Sequence, residues 1–226
     1  MTQAQLILLR HGQSEWNKRN LFTGCVDVPL SLEGIEEAKQ AGIKMADLPI
    51  DRVFVSSLIR SQMTATIALA YHKQGKVPYF IHDEPPMSEW SKMHNDGQSD
   101  SMLPVEISPY LNERGYGKLQ GLNKKETMDL FGEEQVRLWR RSYDVAPPSG
   151  ESLAMTYERT VPYFQSRVEK HLKDGKTVLV VAHGNSLRSI MMYILNISKE
   201  EIVNLEIATG VPLVYSYESG HYRQRS

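Results

Sequence analysis

Cysteine is almost missing from this sequence, and its scarcity limits both the compartment and the covalent chemistry to be considered. Cys25 is the only cysteine, so an internal disulfide is excluded and a reducing compartment is favoured. The N-terminus lacks the basic stretch, apolar core and cleavage site of a secretory signal, and no apolar run approaches the length of a membrane span. We therefore expect a cytoplasmic protein without a membrane partner.

An excess of charge of one sign is lacking as well. The formal net charge is −1, so no overall basic field favours nucleic acid as a partner. Motifs for metals and nucleotides are also missing. Apart from His11 and His183, the histidines lack the paired spacing of metal ligands. No Walker A or Gly-x-Gly-x-x-Gly string follows a predicted strand. The sequence predicts no metal and no nucleotide cofactor, and an anionic ligand would have to meet a local cluster of positive charge.

Continuous apolar runs are present instead, and they are typical of strands buried on both faces. A segment opened by Ser31, with Glu33 in its first turn and apolar residues spaced on one face, predicts a helix between the first two runs and hence a β-α-β crossover. The runs are Leu6–Leu9, Val53–Val55 and Val178–Val181. The predicted fold class is α/β, a three-layer α/β/α arrangement with a mostly parallel central sheet.

Further helices are expected after Ser56, over 124–131, over 151–172 with Pro162 kinking or dividing the helix, after His183, and after the capping box at Ser198. Two segments are predicted to be irregular, a surface excursion at 82–104 and a short connection at 146–150. The tail at 220–226 either folds over the site or stays mobile, and mobility is the default for termini. No linker or repeat divides the chain, so residues 1–226 are predicted to form one domain.

The motif Arg10-His11-Gly12 stands immediately beyond the first predicted strand. Ligands of open α/β sheets bind outside the carboxyl ends of the strands, and a glycine such as Gly12 allows the backbone to approach an anion closely. The same order of strand, histidine, glycine and helix returns at His183 and Gly184. If the two strands are neighbours, both imidazoles face one crevice, where a helix N-terminus favours a phosphate.

A buried histidine on its own is more often structural than catalytic, but two copies at strand ends favour the functional interpretation. One imidazole could take a phosphoryl group while the other stabilises its oxygens. Arg60, placed a few residues beyond the second strand, is a candidate phosphate ligand, since guanidinium binds phosphoryl oxygens through paired donors. The other candidate clamps are Arg10, Arg114, Arg140 and Arg141.

Glu113 is the candidate proton donor and acceptor for a substrate hydroxyl. It stands beside an arginine and close to an aromatic residue in the string LNERGYG from Leu111, where desolvation is expected to raise its pKa into a useful range. The alternative is an exposed Glu-Arg pair in a turn.

These residues resemble the cofactor-dependent phosphoglycerate mutases of the histidine phosphatase superfamily, over a stretch from about Leu6 to about Tyr217. The Arg-His-Gly element is shared by the whole superfamily, while the later strings are more particular to the mutases. The matching strings are LLRHGQSEWN from Leu8, FTGCVDVPLS from Phe22, LNERGYGKLQGLNK from Leu111, EEQVRLWRR from Glu133, AHGNSLR from Ala182 and TGVPLVY from Thr209.

The resemblance implies that His11 carries the phosphoryl group, that Arg10, Arg60 and His183 surround it, and that Glu113 moves the proton. It implies a phosphoglycerate mutase-like fold and a homo-oligomer, a dimer or tetramer. The residues that it implies for binding phosphoglycerates are Asn17, Thr23, Gly24, Arg114, Tyr116, Lys124, Arg140, Arg141, Gly184 and Asn185.

The implied reaction interconverts 2-phosphoglycerate and 3-phosphoglycerate in glycolysis and gluconeogenesis, with 2,3-bisphosphoglycerate as the priming phosphoryl donor and no metal. A second basic group, far along the chain from His11, favours a mutase, because a mutase holds two anionic ends at once. The rival hypotheses are a phosphohistidine-type phosphatase of the same superfamily and a non-catalytic module that binds phosphorylated ligands. Relative to the family pattern, 82–104 is long, 146–150 is shorter than in the long bacterial members, and Gly115 stands where histidine is usual.

Overall fold

A computed structural model describes residues 3–82, 85–92 and 101–225. Within these ranges seven strands form one sheet in the order β3-β4-β2-β5-β1-β6-β7. The strands are β1 Gln5–Arg10, β2 Arg52–Ser56, β3 Val77–Ile81, β4 Met102–Ser108, β5 Thr177–Ala182, β6 Pro212–Glu218 and β7 His221–Gln224. The predicted strands at the three apolar runs are all present.

The sheet is mostly parallel, as predicted. Strands β3, β4, β2, β5 and β1 pair in parallel, whereas β6 pairs antiparallel with β1, and β7 pairs antiparallel with β6. In particular, β1 lies directly beside β5, with Arg10 opposite Ala182. The two strands that end in His-Gly motifs are therefore neighbours.

Helices cover both faces of this sheet, so the predicted three-layer α/β/α arrangement is confirmed. Alternate residues of the central strands enter two separate cores: Ile7 packs with residues of α2 and α3, and Leu8 with residues of α7, α8 and α9. The helices are α1 Glu15–Lys18, α2 Leu32–Lys44, α3 Ile59–Ala70, α4 Met87–Trp90, α5 Lys124–Phe131, α6 Glu133–Arg141, α7 Leu153–Tyr163, α8 Glu169–Lys173, α9 Gly184–Leu195 and α10 Lys199–Ile202.

The helix boundaries follow the capping residues that the sequence presents. The side chain of Ser31 accepts the Gly34 N–H at the start of α2, and Ser198 forms a capping box with Glu201 at the start of α10. Pro162 lies near the end of α7, and the chain then passes through a π-helical turn, Phe164–Val168, into α8. The predicted long helix is therefore divided just after its proline.

A small third core lies beside the main body and supports α5 and α6. It consists of Phe22, Leu119, Val136 and Trp139, with Tyr116 packed against it. Helix α6 was not among the predicted helices, since it buries only Val136 and Trp139 on one narrow face. This core orients the basic residues at the start of α5 and at the end of α6.

Two expectations about irregular segments need correction. Strand β4 begins at Met102, inside the predicted 82–104 excursion, and α4 forms a helical turn within it, while residues 83–84 and 93–100 lie outside the described residues. At the other end, 221–224 form strand β7 and do not remain a mobile tail, because β6 offers them an unpaired edge. Within the described ranges, no helix is both long and apolar enough to span a membrane.

Candidate active site

A cleft of about 720 Å³, counted with its open mouth, lies beyond the carboxyl ends of the parallel strands. Residues that follow β1, β2, β4 and β5 all enter it, which is the expected ligand position in an open α/β sheet. The described residues that line it are Arg10, His11, Asn17, Leu21, Phe22, Thr23, Gly24, Arg60, Glu113, Tyr116, Lys124, Arg140, Arg141, Gly184, Asn185, Arg188 and Glu206.

His11 lies at the bottom of the cleft with a defined tautomer. Its Nδ1 is 2.6 Å from the carbonyl oxygen of Gly12, and a carbonyl can only accept a hydrogen bond. The ring hydrogen therefore resides on Nδ1, and Nε2 keeps a lone pair. Burial, together with the charges of Arg60 and Arg10, holds the pKa of His11 well below its ordinary value. His11 is thus a neutral imidazole that is able to act as a nucleophile.

His183 lies directly behind His11, with the ring centroids 4.8 Å apart. Burial, then the charge of Arg60, lowers the pKa of His183 well below its ordinary value. Its Nε2 is 2.7 Å from Ser56 Oγ, which also accepts the Leu58 N–H, so the serine proton is available for Nε2. The ring hydrogen then resides on Nδ1, a buried atom without a partner in the described part of the chain.

Gly12 allows close packing of two backbone segments, whereas the sequence predicted that it would allow the backbone to approach an anion. It does not line the cleft, and a Cβ at this position would overlap the carbonyl oxygen of Gly34 in the first turn of α2. A Cβ on Gly34 would in turn overlap the carbonyl oxygen of Gln13. The two glycines allow α2 to pack directly against the loop that carries His11. The glycine therefore serves backbone packing and not contact with an anion.

Glu113 follows β4 and a short helical turn, and it reaches the cleft beside His11. Its Oε1 accepts three hydrogen bonds, from Arg114 N at 2.8 Å, Asn185 Nδ2 at 2.9 Å and Asn185 N at 3.2 Å. Since all three bonds go to Oε1, Oε2 is the oxygen that can face a substrate. The N-terminus of α9, expected to hold a phosphate, donates its Asn185 N–H to this carboxylate.

The expected rise in the pKa of Glu113 was wrong. Burial raises this pKa, but the hydrogen bonds from Arg114 and Asn185 and the charges of Arg10 and Arg60 outweigh burial, so the pKa lies below its ordinary value. The carboxylate is ionised in the free protein. It is therefore set to accept a proton first and to return it later.

Arg10 and Arg60 are both anchored by backbone carbonyls at the edge of the cleft. Arg10 Nη1 donates to Ile207 O at 2.7 Å, and Arg60 donates to Gly24 O and Val26 O at 2.7 and 2.8 Å. In the described structure the Nε atoms of both guanidinium groups are buried without a partner. Buried donors without partners fit an anionic ligand that completes them.

A second group of cations, Lys124, Arg140 and Arg141, lines the cleft from α5 and α6. Lys124 is the first residue of α5, and burial together with the neighbouring charges of Arg140 and Arg10 lowers its pKa to about 8. These positions come from sequence far from β1, and the third core brings them to the cleft. In the folded protein, Arg10 and Arg60 therefore line the same cleft as these three cations, although the two groups are far apart in the sequence.

The remaining predicted positions divide into those that line the cleft and those behind it. Asn17 Oδ1 accepts the N–H and the hydroxyl of Ser14, which leaves its amide group as a donor. Thr23 Oγ1 is buried without a partner in the described chain, and it lines the cleft together with Gly24, Tyr116 and Gly184. Arg114 and His183 are not among the lining residues.

Arg114 lies behind the wall of the cleft and supports it. It is 1% exposed, and its Nη2 donates to the hydroxyl of Tyr116 at 2.9 Å and to Arg140 O at 3.1 Å. Its guanidinium lies 4.8 Å from the centre of the Tyr116 ring. In the free structure it therefore holds Tyr116 and the end of α6.

Two charged residues of the cleft were missed by the sequence analysis. Arg188 lies one turn into α9, where Nη1 donates to Asn185 Oδ1 at 3.2 Å and Nε donates to Leu205 O at 2.7 Å. Glu206 lies in the connection between α10 and β6 and pairs with Arg141 and Arg188. Arg188 could have been found from its spacing, since it stands five residues after His183 on a predicted helix. Nothing in the sequence marks Glu206.

Two neutral imidazoles among arginines at the carboxyl edge of a parallel sheet define a histidine-based phosphoryl-transfer site. The family model of the histidine phosphatase superfamily (branch 1) matches residues 6–99 and 91–226. The 2,3-bisphosphoglycerate-dependent phosphoglycerate mutase of Chlamydia abortus is 54% identical over 222 residues, covering 98% of this chain and 97% of that protein. The 2,3-bisphosphoglycerate-dependent phosphoglycerate mutase 1 of Arabidopsis thaliana is 51% identical over 224 residues, covering 99% of this chain and 67% of that protein.

The fold is also found among solved structures. A putative alpha-ribazole-5'-P phosphatase from Escherichia coli superposes with a TM-score of 0.75 at 23% identity, covering 99% of this chain and 95% of that chain. This likeness concerns the fold alone. The chain belongs to the histidine phosphatase superfamily and, within it, to the family of the 2,3-bisphosphoglycerate-dependent phosphoglycerate mutases.

Proposed function

We propose that this protein is a 2,3-bisphosphoglycerate-dependent phosphoglycerate mutase that interconverts 2-phosphoglycerate and 3-phosphoglycerate through a phosphohistidine on His11. One observation carries the proposal: the nucleophilic imidazole, the arginines beside it and the further cations Lys124, Arg140 and Arg141 all line a single cleft. A ligand with two anionic ends, as every phosphoglycerate has, matches both groups at once. The names of the curated relatives support the same reaction.

His11 performs the covalent step in this proposal. Nε2 forms a bond to phosphorus while the bond from phosphorus to the substrate oxygen breaks, and the Nδ1–H bond to Gly12 O stabilises the charged ring. Arg10, Arg60 and the Nδ1–H of His183 stabilise the charge on the transferring phosphoryl oxygens. Priming requires a phosphoryl donor, and 2,3-bisphosphoglycerate supplies that group when it is bound.

Glu113 moves the proton that the phosphoryl transfer requires. When phosphorylated His11 transfers its group to a substrate hydroxyl, Oε2 of the ionised carboxylate accepts the hydroxyl proton. When the other phosphoryl group moves to Nε2, Glu113 returns this proton to the oxygen that leaves. Asn185 and the Arg114 N–H keep the carboxylate oriented in both half-reactions.

The residues that would hold the bisphosphate fit an anion with two phosphates. Near His11 the donors are Arg10, Arg60 and Asn17, and Thr23 Oγ1 is a buried hydroxyl without a partner among the described residues. Lys124, Arg140 and Arg141 would hold the distal end. This division of roles is part of the proposal, and it is supported by the different elements that carry the two groups of cations.

A direct experiment separates the mutase from a phosphatase. The protein is incubated with 3-phosphoglycerate and a trace of 2,3-bisphosphoglycerate, and 2-phosphoglycerate and free phosphate are both measured over time. The expected result is isomer formation that far exceeds phosphate release. Phosphate without 2-phosphoglycerate would instead indicate a phosphatase.

The covalent intermediate has its own test. Labelled 2,3-bisphosphoglycerate is expected to leave acid-labile phosphate on the protein, and none on the His11→Ala variant. A His72→Ala variant is the control, because His72 lies outside the cleft and its Nε2 bonds to Leu48 O. Biological activity that is unchanged by His11→Ala would favour the non-catalytic binding module.

We also infer that the protein is cytoplasmic and assembles as a homo-oligomer, a dimer or tetramer. The family resemblance supports the assembly. Light scattering of the purified protein tests the oligomer, and a monomer at micromolar concentration would contradict it.

A further inference from the structure

Glu206 places a negative charge in the wall of an anion-binding cleft. Among the described lining residues the carboxylates are Glu113 and Glu206, and only Glu113 has a part in the proposed chemistry. One oxygen of Glu206 accepts a hydrogen bond from Arg141 Nη2, and the other lies 3.6 Å from Arg188 Nη2. Glu206 therefore neutralises a cation that the distal end of a phosphoglycerate would use.

The Glu206–Arg141 pair also separates the cleft from a second groove. Both residues line the cleft, and both also line an outer groove between α6 and α10. Tyr143 and Lys199 line the outer groove only. The Glu206 side chain is 65% exposed, so it can move into water without a large desolvation change. Arg141 is held less firmly than Arg10 or Arg60, which bond to backbone carbonyls.

We propose that Glu206 is an internal anionic competitor that occupies Arg141 in the free protein and is displaced when the distal anionic group of a phosphoglycerate binds. It thereby weakens the binding of ligands with two anionic ends and promotes their release. Glu206 is thus a specificity-determining residue of the distal subsite. This inference rests on the proposed function, because it assigns the cations of α5 and α6 to the distal end of that substrate.

The size of the effect follows from the exposure of the pair. An exposed ion pair changes an equilibrium by no more than about five-fold, so its removal is expected to tighten binding by about three-fold. The neutral variant Glu206→Gln keeps an amide oxygen that can still accept a hydrogen bond from Arg141. The arginine therefore keeps its position while the competing charge is lost.

The test compares binding of 3-phosphoglycerate to the wild type and to Glu206→Gln by calorimetry, with unphosphorylated protein so that no turnover occurs. The matched control is Glu200→Gln, which removes the same charge from α10, where Glu200 lines only the outer groove. The expected result is tighter binding to Glu206→Gln, and unchanged binding to Glu200→Gln. Added salt should shrink the difference, since screening weakens an exposed charge.

Several outcomes would overturn the inference. Unchanged or weaker binding to Glu206→Gln would show that Glu206 does not compete with the ligand. Equal tightening in Glu200→Gln would assign the effect to net charge alone. The binding measurement does not depend on turnover, so a wild type that hydrolyses phosphoglycerate would refute the proposed function while the comparison of variants still decides the role of Glu206.

Discussion

The carbonyl of Gly12 determines which nitrogen of His11 reacts. Because Nδ1 donates to this carbonyl, Nε2 is the nucleophile, and burial with the charges of Arg60 and Arg10 keeps the ring neutral. Glu113 has a lowered pKa as well, so both groups are in their basic forms at neutral pH. Lowering the pH from about 7 to about 6 should therefore leave both groups unprotonated.

Lys124 gives the cleft a pH dependence on the alkaline side. Its pKa is about 8 in the free protein, and a lysine loses its charge as the pH rises through its pKa. We expect kcat/KM for 3-phosphoglycerate to fall above pH about 8, because this parameter reports the ionisation of the free enzyme. Lys124→Arg should remove this fall, since arginine stays charged. An identical profile for both proteins would refute the assignment, and Lys125→Arg, on the exposed neighbour, is the control.

Ser56 positions His183 in the tautomer that directs Nδ1–H away from the serine. Ser56→Ala removes the partner of Nε2 at 2.7 Å, so the ring is free to take either tautomer. We expect kcat to fall by about ten-fold or more with a small change in KM, because the ring is no longer held in the orientation that acts on the phosphoryl group. Ser189→Ala is the control, because that buried hydroxyl bonds to Asn185 O and has no hydrogen bond to a histidine of the described ranges. A change confined to thermal stability would show that Ser56 is only structural.

At the scale of elements, the packing of α2 against the His11 loop leaves no room for a side chain at Gly34. The ideal Cβ of an alanine at Gly34 would overlap Gln13 O and lie 2.8 Å from Gln13 N. We expect Gly34→Ala to reduce the free energy of unfolding by about 2–3 kcal/mol, because backbone atoms cannot yield as a side chain can. Urea unfolding measures this loss.

Gly115→Ala is the matched control for Gly34→Ala. The nearest atom to a Cβ at Gly115 is 3.7 Å away, on Glu151, so the change should alter stability by less than about 1 kcal/mol. If the two variants unfold alike, close packing is not the reason for glycine at position 34.

Several elements could be predicted because their signals are local. Apolar runs predicted β1, β2 and β5, and capping residues marked the starts of α2 and α10. Strands β3, β4, β6 and β7 were not predicted. β3, β6 and β7 lie at or near the edges of the sheet, where side chains are only partly buried, and β4 begins inside the stretch whose composition predicted an irregular excursion. Helix α6 was missed for a related reason, since most of its surface is exposed.

At the scale of the whole molecule, a chain of net charge −1 places a local cluster of positive charge in one cleft. Six arginines and lysines and two glutamates are among the described lining residues. Low-dielectric walls focus such a field on an anionic substrate. The same residues are far apart along the sequence, and only the fold brings them together.

This charge distribution predicts a salt dependence. Raising monovalent salt from about 0.05 to about 0.5 M should increase the KM for 3-phosphoglycerate several-fold, because screening shortens the range of the cleft field. The chemical step takes place in the buried part of the cleft, so kcat should change less. Initial rates at constant pH measure both, and a KM independent of salt would contradict the role of the concentrated charge.

The sequence by itself determined the fold class and the strand-end position of the two histidines, because both depend on local periodicity and on a strand's carboxyl end, which neighbouring residues define. Most of the other residues that line the cleft were predicted through the family resemblance. Only the tertiary structure decided the tautomer of His11, the lowered pKa of Glu113, the place of Arg114 behind the wall and the pairing of Glu206 with Arg141. The last three depend on groups from distant parts of the chain, whose distances and burial exist only once the sheet, its helices and the third core have packed. The tautomer of His11 depends on the neighbouring Gly12, because only the folded backbone orients the Gly12 carbonyl toward the ring.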